Sequence, residues 1–109
     1  MAESNNNSVT HVVLFRPRAE QHDALTPLVA RFPALREQIA GIEHAAAGPA
    51  LASEAARGYT HALVMRFADT AALQAYESHP EHEALVGELR ELVEQFLVLD
   101  VPTTQEALR

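Results

Sequence analysis

The chain contains no cysteine and no lysine. Without cysteine it has neither a disulfide framework nor a thiolate nucleophile. Without lysine it has no Schiff-base nucleophile, no anchor for pyridoxal phosphate and no phosphate-binding lysine of the P-loop type. Chemistry in this chain therefore depends on His, Tyr, Asp, Glu or Arg side chains, or on a bound cofactor.

Positive charge and long apolar runs are also scarce. The formal net charge is −7, and all eight basic residues are arginines. Because nucleic-acid binding requires a basic surface, we expect no nucleic-acid partner. No segment approaches the roughly 18 apolar residues of a membrane helix, and we expect no membrane association. The first ten residues, MAESNNNSVT, lack the basic and apolar regions of a secretory signal, so we predict a cytoplasmic protein.

The length of 109 residues is that of a single domain. The first eight residues are polar and show no periodicity, and the segment after Pro102 is also polar. We therefore predict a disordered tail over residues 1–8, a folded domain over residues 9–101 and a C-terminal tail over residues 102–109.

Apolar and β-branched segments predict four strands, VTHVVLFRP (9–17), IEHAAAG (42–48), GYTHALVMRF (58–67) and FLVLDV (96–101). Apolar residues at intervals of three and four predict a helix over residues 19–40, with a break near Phe32–Pro33 because proline disrupts a helix. Two more helices are predicted over residues 71–78, capped by Asp69 or Thr70, and from Pro80 onward.

The order β-α-β-β-α-β predicts an α+β, ferredoxin-like protomer with a four-stranded antiparallel sheet. Three of its strands are apolar at nearly every position, whereas a sheet covered by helices on one face should alternate apolar and polar residues. The second face therefore requires a partner, most simply a second copy of the chain. We expect a homodimer through the sheet face, forming a dimeric α+β barrel, with Val13 and Val64 as interface candidates.

The segment AYESHPEH, residues 75–82, places Tyr76, His79 and His82 at intervals of three residues on one broad helix face. An imidazole with a pKa of about 6.5 is suited to acid–base chemistry at neutral pH. His79 directly precedes Pro80, so it is also placed to cap the helix that Pro80 begins. His11 and His61 lie in otherwise apolar strands and are candidates both for the lining of a pocket and for hydrogen-bonded core residues.

Metal or haem binding has a weaker basis. His79 and His82 have the spacing of a helical metal pair, but Pro80 disturbs that geometry and no HExxH-type motif is present. A haem would need an axial ligand such as His44 or His11. We expect no metal and no cofactor. Asp100, at the end of the last strand, could orient a histidine or pair with Arg16 or Arg66.

The segments HVVLF, GYTHALVMRF, AYESHPEH and FLVLDV, in this order, resemble the stress-responsive dimeric α/β-barrel (Dabb) family. The resemblance covers about residues 9–101 and implies ferredoxin-like protomers that pair sheet to sheet. It also implies similarity to polyketide cyclases of the olivetolic acid cyclase type, in which a tyrosine and a histidine of this helix junction act on a poly-β-ketone. These two residues correspond to Tyr76 and His82, and the other histidines near the site correspond to His11 and His61. We expect His11, His61 and His79 to help to bind the substrate.

The resemblance leaves three functions open. The first is a cofactor-independent cyclase or lyase-type enzyme that acts on a β-dicarbonyl-like, apolar small molecule, with His82 as general base and Tyr76 as hydrogen-bond donor. The second is a non-catalytic dimer that binds a small ligand or takes part in a stress response. The third is a monooxygenase of the related barrel families.

Overall fold

The computed structural model describes residues 7–103, and its elements follow the predicted order. The strands are β1 (Val9–Pro17), β2 (Ile42–Pro49), β3 (His61–Phe67) and β4 (Val93–Pro102). The helices are α1 (His22–Val29), α2 (Thr70–Glu77) and α3 (Pro80–Arg90), with short 3-10 helices at Pro33–Glu37 and Glu54–Ala56. All strand pairs are antiparallel and the sheet order is β2-β3-β1-β4. The ferredoxin-like α+β fold is therefore confirmed.

The region between β1 and β2 is less helical than its apolar spacing predicts. The helix α1 ends at Val29, and from Pro33 to Glu37 the chain forms a 3-10 helix instead of a second α-helical segment. The expected break near Pro33 is present because proline has no backbone N–H to continue the helical hydrogen bonds. Leu35 and Ile39 are nevertheless buried, so their spacing correctly marked core positions although the backbone is not α-helical there.

Gly41 connects this region to β2 at a point where no other residue fits. Its φ of +94° lies in the left-handed region, and a Cβ at this position would stand 2.6 Å from the Cβ of Ala72 on α2. Glycine therefore lets α2 pack directly against the start of β2, which fixes the position of the α2–α3 junction over the sheet.

The two faces of the sheet have different surroundings. The inner face carries alternate residues such as Phe15 on β1 and Leu63 on β3, which are buried under the helices. The outer face carries Val64, which is 39% exposed, and Leu99, which is 63% exposed, and no helix covers it. Val13 belongs to the inner face and is only 6% exposed. The expectation that Val13 lies at a partner interface is therefore wrong for this residue, while Val64 does lie on the open face.

Most of the two predicted tails, residues 1–6 and 104–109, lies outside the described residues. Ser8 is fully buried, and its hydroxyl donates to the carbonyl oxygen of Thr103 at 3.1 Å. Ser8 and Thr103, which the sequence analysis assigned to the two tails, therefore contact each other within the described residues. Within residues 7–103, no helix is long and apolar enough to cross a membrane.

Candidate active site

A cavity of about 200 Å³ lies between the inner face of the sheet and the α2–α3 junction. Its walls are mostly apolar and include Val13, Phe15, Leu63, Phe96 and Val98. The cavity exists because β4 is an edge strand that the helices leave largely uncovered, so that only Val93 of its ten residues is buried. Phe96 and Val98 pair across from Phe15 and Val13 and thereby line one wall.

Tyr76, in the last turn of α2, is fully buried and lines this cavity. Its ring packs against Phe67 at a centroid distance of 5.0 Å and against His82 at 4.3 Å. Among the described residues, its hydroxyl has no hydrogen-bond partner. Burial, together with the nearby Glu77, raises the pKa of Tyr76 well above its usual value. The hydroxyl therefore stays protonated and is available as a donor to a bound molecule.

His82 lies in the first turn of α3 and lines the same cavity. Its Nδ1 lies 3.0 Å from the backbone carbonyl oxygen of Glu77. Because a carbonyl oxygen can only accept, Nδ1 carries the proton and the lone pair of the neutral ring is on Nε2. Burial lowers the pKa of His82, against the effect of the Glu77 carbonyl and with a further lowering from His11. The His82 ring is therefore neutral at neutral pH and can accept a proton as a base.

His11, on β1, is the third polar side chain of the cavity. Its Nδ1 contacts Oδ1 of Asp100 at 2.5 Å across the β1–β4 pair, and its ring meets the Tyr76 ring edge-on at 5.8 Å. The carboxylate accepts the Nδ1 proton and holds the ring, which leaves Nε2 as the free nitrogen. The structure thus pairs Asp100 with His11, whereas Arg16 contacts Glu94 and Arg66 contacts Glu43.

The structure separates His61 and His79 from this group. His61 is buried, but its two ring nitrogens contact the hydroxyls of Thr26 at 2.8 Å and Thr60 at 2.7 Å, and it is not among the cavity-lining residues. His79 caps α3, since its Nδ1 accepts from the backbone N–H of Glu81 at 3.1 Å. Three of the five predicted site residues, His11, Tyr76 and His82, therefore come together.

Within residues 7–103, no group of three or more His, Asp or Glu side chains is arranged to hold a metal ion. His44 is exposed on β2 and pairs with Arg66, which places it on the outer face of the sheet, away from His11.

The family model of the stress-responsive A/B barrel domain matches residues 9–103. The chain belongs to this family. The match confirms the resemblance that the strand and helix-junction motifs predicted. A comparison with curated proteins finds no significant match.

Solved structures confirm the ferredoxin-like fold of this A/B barrel domain. A dimeric ferredoxin-like protein of unknown function from Jannaschia sp. is 25% identical, with a TM-score of 0.78 over 89% of this chain and 100% of the other. A dimeric protein of unknown function from Bacteroides fragilis is 24% identical, with a TM-score of 0.78 over 88% and 96% of the two chains. The hydroxynitrile lyase of Passiflora edulis is 19% identical, with a TM-score of 0.76 over 94% and 99%.

The sequence analysis did not identify two charged residues of this A/B barrel site. Glu77 and Arg90 both line the cavity, and the backbone carbonyl of Glu77 orients His82. Arg90 could have been found from its spacing, because it follows His82 by eight residues and Val86 by four on the same helix. The role of the Glu77 carbonyl has no signal in the sequence, since every residue has a carbonyl group.

Proposed function

We propose that this A/B barrel protein binds an apolar small molecule with carbonyl groups and acts on it as a cofactor-independent, polyketide cyclase-like enzyme. The observation that carries the proposal is the Tyr76 hydroxyl, which is buried in an apolar cavity and has no partner among the described residues. A buried donor without a partner is costly, so its presence favours a ligand that supplies an acceptor atom.

Each polar group has a distinct task in this proposal. Tyr76 donates its proton to a hydrogen bond with the carbonyl oxygen, where negative charge develops. His82 removes a proton from the carbon between two carbonyls through Nε2, which gives an enolate and an imidazolium. The enolate carbon then attacks a second carbonyl of the same molecule, a carbon–carbon bond forms, and the new alkoxide takes the proton back from His82. Protons and electrons balance without any redox partner.

His11 supports the same chemistry from the sheet. His11 lines the cavity, and Asp100 keeps its ring in one orientation. In this proposal the free Nε2 of His11 contacts a second oxygen of the substrate. Substrate contacts of His61 and His79 have no comparable support. Both ring nitrogens of His61 contact threonine hydroxyls, and Nδ1 of His79 caps α3. Neither residue is among those that line the cavity. A protein of the same fold is a hydroxynitrile lyase, so the fold accommodates lyase chemistry.

We further propose that the protein is a homodimer that pairs through the outer face of the sheet. Val64, Leu97, Leu99 and Val101 leave an apolar surface on that face, each between 39% and 63% exposed. Similar structures from Jannaschia sp. and Bacteroides fragilis are dimeric proteins. A cytoplasmic location stays a prediction from the sequence.

A thermal-shift screen with straight-chain ketones and β-diketones tests the proposed function. The wild type should be stabilised by the ligands that fit the cavity. Tyr76→Phe should lose most of that stabilisation because it removes only the hydroxyl, while Thr26→Val, which alters the His61 hydrogen bond outside the cavity, should keep it. Binding without turnover would favour the non-catalytic ligand-binding dimer. Equal stabilisation of wild type and Tyr76→Phe would contradict the proposal.

A further inference from the structure

Arg90 is the one permanently charged cation among the residues that line the cavity. It lies at the end of α3, where the cavity meets two shallower depressions, one shared with Glu83 and Gly87 and one shared with Arg18. Among the described residues its guanidinium forms no ion pair, whereas Arg16, Arg31 and Arg66 each contact a glutamate. A cation at the mouth of an apolar cavity, with its ion-pairing capacity unused, suggests a negatively charged group on the ligand.

The helix α3 sets the distance between this cation and the reactive end of the cavity. His82, Val86 and Arg90 follow one another at intervals of four residues and all line the cavity, so they share one face of the helix. Eight residues at a rise of 1.5 Å separate the Cα atoms of His82 and Arg90 by about 12 Å along the helix. Side chains on a helix tilt toward its N-terminus, which shifts the ends of both side chains in the same direction, so the Cα spacing sets the scale of the span.

We propose that the ligand is an oxo acid, a β-dicarbonyl compound that also carries a carboxylate, with its ketone end at Tyr76 and His82 and its carboxylate at Arg90. This inference rests on the proposed function and adds the substrate class and a specificity-determining residue. The apolar residues between the two ends, Val86 and Leu89, contact the methylene chain that joins them. Arg90 acts only on binding and orientation, since it lies a helical length away from the reacting carbon.

Glu77 provides a second test of the charge of the ligand, because it is the one carboxylate among the residues that line the cavity. Glu77 is exposed and lines both the cavity and the adjoining depression together with Arg90, so its negative charge should oppose binding of an anionic ligand. The two residues should therefore have opposite effects on acid binding. A ligand without charge should respond to neither of them, and a cationic ligand should respond with the signs reversed.

The experiment measures binding of levulinic acid and its longer methyl-ketone homologues, each compared with its methyl ester, by calorimetry at neutral pH. Homologues of intermediate length should bind the wild type best, because both ends are then engaged. Arg90→Gln should weaken binding of the acids by about two- to fivefold, the range expected for an exposed ion pair, and leave binding of the esters unchanged. Glu77→Gln should strengthen binding of the acids by about twofold. Arg57→Gln, in the loop before β3, removes the same charge outside the cavity and is the matched control.

The outcomes separate this inference from the proposed function. Tyr76→Phe should weaken acids and esters alike, whereas Arg90→Gln should change only the acids. If Arg90→Gln leaves the difference between acid and ester unchanged, the oxo-acid assignment is wrong while ketone binding at Tyr76 stands. If Arg90→Gln weakens the acids but Tyr76→Phe has no effect, the anion site stands and the ketone site is wrong. Failure of both acids and esters to bind the wild type overturns both.

Discussion

Burial acts in opposite directions on the two polar side chains at the reactive end of the cavity. It raises the pKa of Tyr76 and lowers the pKa of His82, because in each case it disfavours the charged form. The result is the same for both residues, which are neutral at neutral pH. Tyr76 is then a hydrogen-bond donor and His82 is a base, which is the pair of states that enolate formation requires.

Residue-scale burial also predicts how stability depends on pH. The pKa values of His61 and His82 are both lowered, chiefly by burial, with His22 adding to the effect at His61. As the pH falls below the unfolded value of about 6.5, the unfolded chain binds protons before the folded chain does, so the free energy of unfolding decreases. The two histidines therefore contribute fully to stability above a pH of about 6.5, and this contribution is lost as the pH falls further.

Urea unfolding at a series of pH values measures this dependence. The slope between neutral and mildly acidic pH should be positive, and His61→Gln should reduce it, because glutamine does not titrate. The exposed His44 offers the control, since His44→Gln leaves the buried His61 ring and the half-buried His82 ring in place. A stability that is independent of pH across this window would contradict the assignment of neutral rings to His61 and His82.

At the scale of elements, the α2–α3 junction was the most predictable part of the molecule. The side chain of Asp69 accepts from the backbone N–H of Ala72 and caps α2, and His79 with Pro80 begins α3 as the sequence indicated. Caps and prolines act through local backbone hydrogen bonds, so the sequence alone identifies them. The junction then fixes the positions of Tyr76 and His82 relative to one another.

The strand histidines show what the sequence could not predict. His11 and His61 both belong to buried positions of neighbouring strands, and both were candidates for the pocket. The antiparallel register pairs His61 with Phe15 and His11 with Met65, which separates the two histidines by four residues, or about 14 Å along the strands. Periodicity predicts which face a residue occupies, but register decides which residues meet, and no local signal sets it here.

Replacing His79 and replacing His82 should have contrasting effects. His79→Ala removes the cap of α3 and should cost about 0.5–2 kcal/mol of stability while ligand binding persists. His82→Ala should abolish base chemistry with a smaller change in stability, because its ring lines a cavity and does not fill the core. Urea unfolding and a ketone-binding assay on both variants provide the measurement. Loss of binding in His79→Ala with unchanged stability would reverse the two roles.

At the scale of the whole molecule, the sheet has one face that carries the cavity and one open apolar face. Strand composition indicated that both faces are apolar, and the structure shows which residue belongs to which face. Val13 was misplaced because consecutive apolar residues carry no alternation that would distinguish the faces. Its neighbour Val12, by contrast, pairs with Leu99 on the outer face.

Light scattering at micromolar concentration tests the assembly. The wild type should have the mass of a dimer, and Leu99→Glu should give a folded monomer, because a buried, unpaired charge on each side of the two-fold axis opposes pairing. Ala84→Glu adds the same charge on the exposed face of α3 and should remain dimeric. A monomeric wild type, or a dimeric Leu99→Glu, would contradict pairing through the outer face.

The most direct test of the central claim is proton exchange on a simple ketone, which needs no knowledge of the natural substrate. Methyl pentyl ketone is incubated with the protein in heavy water, and the loss of its α-proton signals is followed by proton NMR. Wild type should accelerate exchange above the rate in buffer, and His82→Ala should lose about 10²-fold or more of that acceleration, the usual worth of a positioned base. Exchange in the presence of wild type that is no faster than in buffer, or equally fast with His82→Ala, would contradict the assignment of His82 as a catalytic base.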